Sequence, residues 1–91
     1  MIIETTVGKF EVLKNYREAF NEEDFISKYI EGVFDKYTYI VGDISSTILR
    51  LKGFNNKNKG NNSYKHIPDY LSESCNANCA YFVLKRIRNK K

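Results

Sequence analysis

Tryptophan is missing from this chain, proline and histidine occur once each, and cysteine occurs only twice. Each scarcity excludes something. Two cysteines cannot build the multi-bridge framework of a small secreted domain. Cys75 and Cys79 stand four positions apart, not at the two-residue spacing of redox or zinc pairs, and His66 is the only imidazole. A structural zinc site takes four nitrogen or sulfur ligands, so carboxylates such as Asp69 or Glu73 would have to complete it. The pair is therefore read as two buried thiols at a helix-to-strand corner, with no metal and no cofactor. Long apolar runs are also absent: none approaches the roughly 20 residues that span a bilayer. The opening MIIETTVGKFEV has neither the basic start nor the apolar stretch of a secretory signal. The expectation is a cytoplasmic protein without membrane contact.

What is present is enough for one core. Ninety-one residues with 42% hydrophobic content predict a single domain over 1–91, filled largely by seven Tyr and six Phe. Charge is unevenly spread. Residues 1–43 hold five basic and nine acidic side chains, a net −4, whereas residues 44–91 hold ten and two, a net +8. A basic half of this kind suits a polyanionic partner, although a solvated face has the same composition.

Periodicity predicts the elements. IIETTV and FEVLKNY, on either side of Gly8-Lys9, read as a hairpin. Asn21 reads as a helix N-cap, with Asp24 three residues on, Phe20 and Phe25 as a hydrophobic staple, and Glu22 to Asp24 on the positive end of the dipole. Phe25, Ile26, Tyr29, Ile30, Val33, Phe34 and Tyr37 then form one stripe of a long amphipathic helix. TYIVGDI and STILRLKGF follow as strands separated by a polar break at Ser45-Ser46, the second with Leu49 and Leu51 on one face and Arg50, Lys52 and Phe54 on the other. NNKNKGNN at 55–62 has nothing to bury and reads as a mobile loop. Ile67, Tyr70 and Leu71 mark a short helix that ends at Asn76-Ala77-Asn78, and CAYFVLKRI a closing strand covered on both faces. The fold class expected is α+β, with an antiparallel-rich sheet of about five strands, one long amphipathic helix and one short one.

Three stretches taken together, YREAFNEEDF at 16–25, YIVGD with LRLKGF between 39 and 54, and DYL with C-N-x-x-C-A-Y-F-V-L between 69 and 84, resemble the YutD-like family of small bacterial proteins of unknown biochemical function. The likeness runs from residue 9 to 87. It implies an α+β domain and carries over no catalytic or ligand residue. Where the family tends to have aromatic and glycine residues, after the Gly-Asp pair and between the cysteines, this chain has Ile44-Ser45-Ser46-Thr47 and Ala77-Asn78.

Candidate chemistry is accordingly a surface. Glu22, Glu23 and Asp24 are explained by capping, and Asp43, at a strand end, is open between a turn residue and a catalytic carboxylate. The remaining set is basic and aromatic: Arg50, Lys52, Phe54, Lys57, Lys59, Tyr64, Lys65, Lys85, Arg86 and Arg88, continuing into a basic tail at 88–91. Cations neutralise phosphates or carboxylates, and exposed rings stack bases. No RNA- or DNA-binding signature accompanies them. The reading is a non-enzymatic binding module whose basic face contacts RNA, a ribonucleoprotein or an acidic protein. The alternative is a protein–protein adaptor without nucleic acid, and an enzyme of unknown reaction comes third.

Overall fold

Alternating β-branched, aromatic and polar residues form five strands: β1 (Ile2–Thr5), β2 (Gly8–Tyr16), β3 (Tyr39–Ser45), β4 (Ile48–Phe54) and β5 (Tyr81–Arg86). The computed structural model describes residues 1–74 and 79–88, so Cys75, the Asn76–Asn78 break and the tail beyond Arg88 lie outside the described residues. The strands make one antiparallel sheet in the order β1-β2-β5-β3-β4. Two hairpins therefore flank β5, which pairs with β2 on one side and β3 on the other. Helices α1 (Glu22–Lys28) and α2 (Ile67–Ser74) cover opposite faces. Among the described residues no helix is long and apolar enough to cross a membrane.

β5 is apolar from Tyr81 to Leu84 because both its faces are covered there. Phe82 and Leu84 join Phe10, Ile40 and Leu49 beneath α1, which contributes Phe25. Val83 joins Val41 and Phe54 beneath Ile67, Tyr70 and Leu71 of α2. Phe10, Phe25 and Phe82 have no exposed surface, and burying each contributes about 2–3 kcal/mol. Phe82 meets Phe20 edge-on with ring centroids 5.2 Å apart. It crosses directly over Gly42, where an added Cβ would lie 2.2 Å from Cζ of the ring.

The start of α1 follows the sequence closely. The Asn21 side chain accepts from the Asp24 N–H at 3.0 Å, and the Phe20 and Phe25 rings lie 5.6 Å apart. Its end does not. The predicted long helix stops after seven residues, at Tyr29, whose backbone is extended (ψ 130°), and a short 3-10 turn at Phe34–Lys36 follows. The cause is tertiary. The Tyr29 hydroxyl donates to Asp35 Oδ1 at 2.5 Å and accepts from Arg86 Nη2, and Arg86 also donates to the carbonyls of Phe34 (3.2 Å) and Tyr37 (3.2 Å). A continuous helix would turn those carbonyls into its own hydrogen bonds and leave a half-buried guanidinium short of acceptors.

Both hairpin turns are displaced from the expected positions. The first is Thr6-Val7 rather than Gly8-Lys9, because Thr5 Oγ1 closes it by donating to Gly8 O (2.8 Å) and accepting from Val7 N–H (3.2 Å). The second is Ser46-Thr47, with both residues at positive φ (53° and 67°), as a two-residue type I′ turn requires. The expectation of two thiols is also corrected. Cys79 is disulfide-bonded, and its sulfur lies 3.3 Å from the Ile44 carbonyl. A disulfide sulfur carries no proton, so that approach is a packing contact.

Candidate functional site

Period-2 alternation puts Arg50, Lys52 and Phe54 on the face away from Leu49 and Leu51, as expected, but that face is the one α2 occupies. Register then separates its residues into two ends. Asp43 stands opposite Arg50 on β4 and Tyr81 on β5, whereas Tyr39, four residues earlier, stands opposite Phe54 and Lys85. Arg50 thus lies at one end of the sheet. Lys85 lies at the other, where β4 runs into the Asn/Lys loop.

That loop has a built base. Ser63 is completely buried, and its hydroxyl donates to the Lys57 carbonyl (2.6 Å) and accepts from the Lys65 N–H (3.2 Å). Asn55 N–H donates to Asn62 O at 2.7 Å and Tyr64 N–H to Asn55 O at 2.9 Å, closing the loop on itself. The Asn62 amide reaches the Tyr37 hydroxyl at 3.4 Å. Residues 56–61 are exposed, so Lys57 and Lys59 project from a pinned frame. Lys65 is exposed just beyond, and the Tyr64 ring stacks on Tyr39 at 5.7 Å. Arg88, past the end of β5, places its guanidinium 3.4 Å from the Asp35 carbonyl. Lys57, Lys59, Tyr64, Lys65, Lys85 and Arg88 therefore gather at one end of the sheet.

The other candidates are engaged elsewhere. Phe54 is 1% exposed and packs edge-on against Tyr70, with the Lys52 ammonium 5.6 Å from its ring. Arg86 points to the α1 side, 4.9 Å from the Phe10 ring centroid, in the hydrogen-bonded cluster with Tyr29. Arg50 forms an ion pair with Asp43, whose carboxylate is wholly buried and also accepts from the Tyr70 hydroxyl at 2.8 Å. Hydrogen bonding to that carboxylate, then its charge, raises the Arg50 pKa. Asp43 is a strand residue that ties α2 to β3 and β4. It has no surface that a substrate could touch.

Two clusters were not anticipated. The Asp43–Arg50 pair was within reach of the sequence, since a two-residue turn at Ser46-Thr47 pairs 43 with 50 directly. The Tyr29–Asp35–Arg86 cluster has no local signal, because 57 positions separate Tyr29 from Arg86. Burial, followed by the bond to Asp35, raises the Tyr29 pKa. The Tyr29 hydroxyl and then the Gly32 N–H hold the Asp35 carboxyl below its ordinary value. Among the described residues no three His, Cys, Asp or Glu side chains form a metal-binding group. An open groove of about 600 Å³ lies beside α1, lined by Thr6, Glu22, Glu23, Ile26 and Ser27, and none of the candidate cations borders it.

Comparison with known proteins places this arrangement among relatives. A family model described as "Putative antitoxin YutD-like" matches residues 4–85. A curated protein of Bacillus subtilis (strain 168), "Putative antitoxin YutD", is 45% identical over 85 residues, covering 89% of this chain and 92% of that protein. The solution NMR structure of protein yutD from B. subtilis superposes with a TM-score of 0.80 at 39% identity, covering 100% of this chain and 86% of that one.

Proposed function

The chain belongs to the YutD-like family, and from that premise we propose that it is a cytoplasmic, non-catalytic binding module that acts on an acidic partner protein through the basic end of its sheet. The observation that carries this reading is the gathering of Lys57, Lys59, Lys65 and Lys85 around a loop whose base is closed by buried Ser63. A frame fixed before binding loses little freedom on association, and cations grouped on it steer an acidic surface into register. The name carried by the B. subtilis relative, "Putative antitoxin YutD", fits a protein that works by occupying a partner. RNA is the less favoured occupant. Stacking of bases needs exposed rings, yet Phe54 is buried and Tyr64 is packed on Tyr39.

The test is cross-linking of the purified protein in native lysate, with and without nuclease, followed by quantitative mass spectrometry. An acidic protein should be captured irrespective of nuclease. Capture should be lost with the triple reversal K57E/K59E/K65E and weakened above about 0.5 M salt, where screening extends over only a few ångströms. Nuclease-sensitive capture would transfer the surface to RNA, and identical capture by the reversal variant would refute the assignment.

A further inference from the structure

Internal hydrogen bonds fix the shape of the Asn/Lys loop but not its pose on the sheet. Lys57 is held at both backbone groups, its N–H by Asn55 Oδ1 (3.0 Å) and its carbonyl by the Ser63 hydroxyl, and the Ser63 N–H donates to Gly60 O at 3.2 Å. A loop closed in this way can still swing as one body about the strand end that carries it. Two tyrosines oppose that motion from opposite faces of the sheet. Tyr37 packs against the core on the α1 side and Tyr39 against the core on the α2 side. The Tyr37 hydroxyl accepts from the Asn62 amide at 3.4 Å, and the Tyr39 ring stacks on Tyr64 with an interplanar angle of 27°. Asn62 and Tyr64 flank buried Ser63, so the loop is gripped on either side of its own closure. The grip is itself braced. Arg86 donates to the Tyr37 carbonyl (3.2 Å), and the Tyr37 N–H donates to Phe34 O (3.1 Å). The Tyr37 ring lies across Gly53 of β4, where an added Cβ would stand 2.1 Å from its Cδ2.

We infer that Tyr37 and Tyr39 are positioning residues of the proposed binding surface: they act through the loop, by fixing the pose in which Lys57 and Lys59 are presented. The inference rests on the functional reading above. Residues 56–61 are exposed and bury nothing, so packing of their own side chains cannot hold the loop in place. The two rings supply what the loop lacks. A loop fixed before association loses less freedom when a partner's carboxylates arrive, so loosening either ring should weaken binding without removing a single cation.

Two readouts test this: backbone amide order parameters of the loop from NMR relaxation, and fluorescence anisotropy of a fluorescein-labelled Glu/Ser peptide at low salt. In wild type the amides of residues 56–61 should be as ordered as those of β4, with order parameters of about 0.85, and the peptide should bind. Y39L should drop the loop below about 0.6 and weaken the peptide by about three- to tenfold, the range lost when one or two loose side chains must be ordered on binding. Y39F keeps the ring and should restore both. Y37F and N62A should each act in the same direction, and together no more than either alone, because they remove one shared bond. Circular dichroism checks that each variant is folded, and Y64L removes the same stack from the loop side should Y39L fail to fold. If order and affinity stay at wild-type values in Y39L and Y64L while K57E/K59E/K65E loses the peptide, the positioning role is refuted and the functional reading survives. A loosened loop that binds the peptide as tightly as wild type refutes the positioning role equally. Peptide binding that K57E/K59E/K65E leaves unchanged would overturn the functional reading, and the positioning role with it.

Discussion

Ser46 and Thr47 close the β3–β4 hairpin with left-handed backbones, φ 53° and 67°, and neither is glycine or asparagine. Their neighbours Ser45 and Ile48 already pair, so the turn has no extra residue through which to relax. A left-handed conformation costs an L-residue about 1–2 kcal/mol, and a β-branched one such as threonine stands at the unfavourable end. Replacing Thr47 with glycine removes that cost but adds about 0.5–1 kcal/mol of unfolded-chain entropy. Asparagine at 46 tolerates the left-handed region and recovers a few tenths more. S46N/T47G should therefore gain about 1 kcal/mol, which for a domain of this size raises Tm by about 4–8 °C. Reversible thermal unfolding followed by circular dichroism measures it directly. T47A serves as control, because it removes the β-branch and keeps the Cβ; it should recover less than the double variant. A Tm that is unchanged or lower in S46N/T47G would show that the tip is not strained, and a gain from T47A as large as the double variant's would assign the cost to the side chain.

Three other outcomes follow from the geometry. Gly42→Ala should cost more than about 3 kcal/mol in urea denaturation, because the new Cβ meets the Phe82 ring at 2.2 Å, and G42A/F82L should recover part of the loss. Stability should fall at both extremes of pH. Asp35 is lowered from 3.8, so its contribution is present above that value and lost as pH falls through the folded pKa, while Tyr29 is raised from 10.0, so its contribution is present below 10.0 and lost as pH rises through the folded pKa. Tyr29→Phe should flatten both limbs of the midpoint-against-pH curve, and unaltered limbs would mean the cluster is not coupled. Finally, alkylation of denatured, unreduced protein should leave Cys79 unlabelled until a reductant is added, as peptide mass spectrometry would show.

The parts of the fold legible in the sequence were those whose cause is local. Asn21 caps through Asp24, three residues away, and Leu49 and Leu51 separate from Arg50 and Lys52 by strand alternation alone. The end of α1 was not legible, since the apolar stripe runs on past Tyr29, and the break is held by Arg86, brought across by β5, together with the Asp35 bonds to Tyr29 and Gly32. The candidate surface was legible as a composition and not as a geometry. Lys57, Lys59 and Lys65 share a frame, whereas Arg50 and Arg86 have the same formal charge and spend it on Asp43 and on the Tyr29 cluster. Nothing in residue type distinguishes these two uses of arginine. The difference is made by which strand becomes the neighbour.

The place of β5 between the two hairpins bears on how the chain matures during synthesis. Until residue 86 has been made, β2 and β3 each have an unpaired inner edge, and Phe82 and Leu84 are absent from the core that α1 must cover. The nascent chain can form local hairpins early, but they have no common sheet to join. Commitment to the native state therefore waits for the last strand, and a stalled or truncated translation product would display two hydrogen-bonding edges to its surroundings.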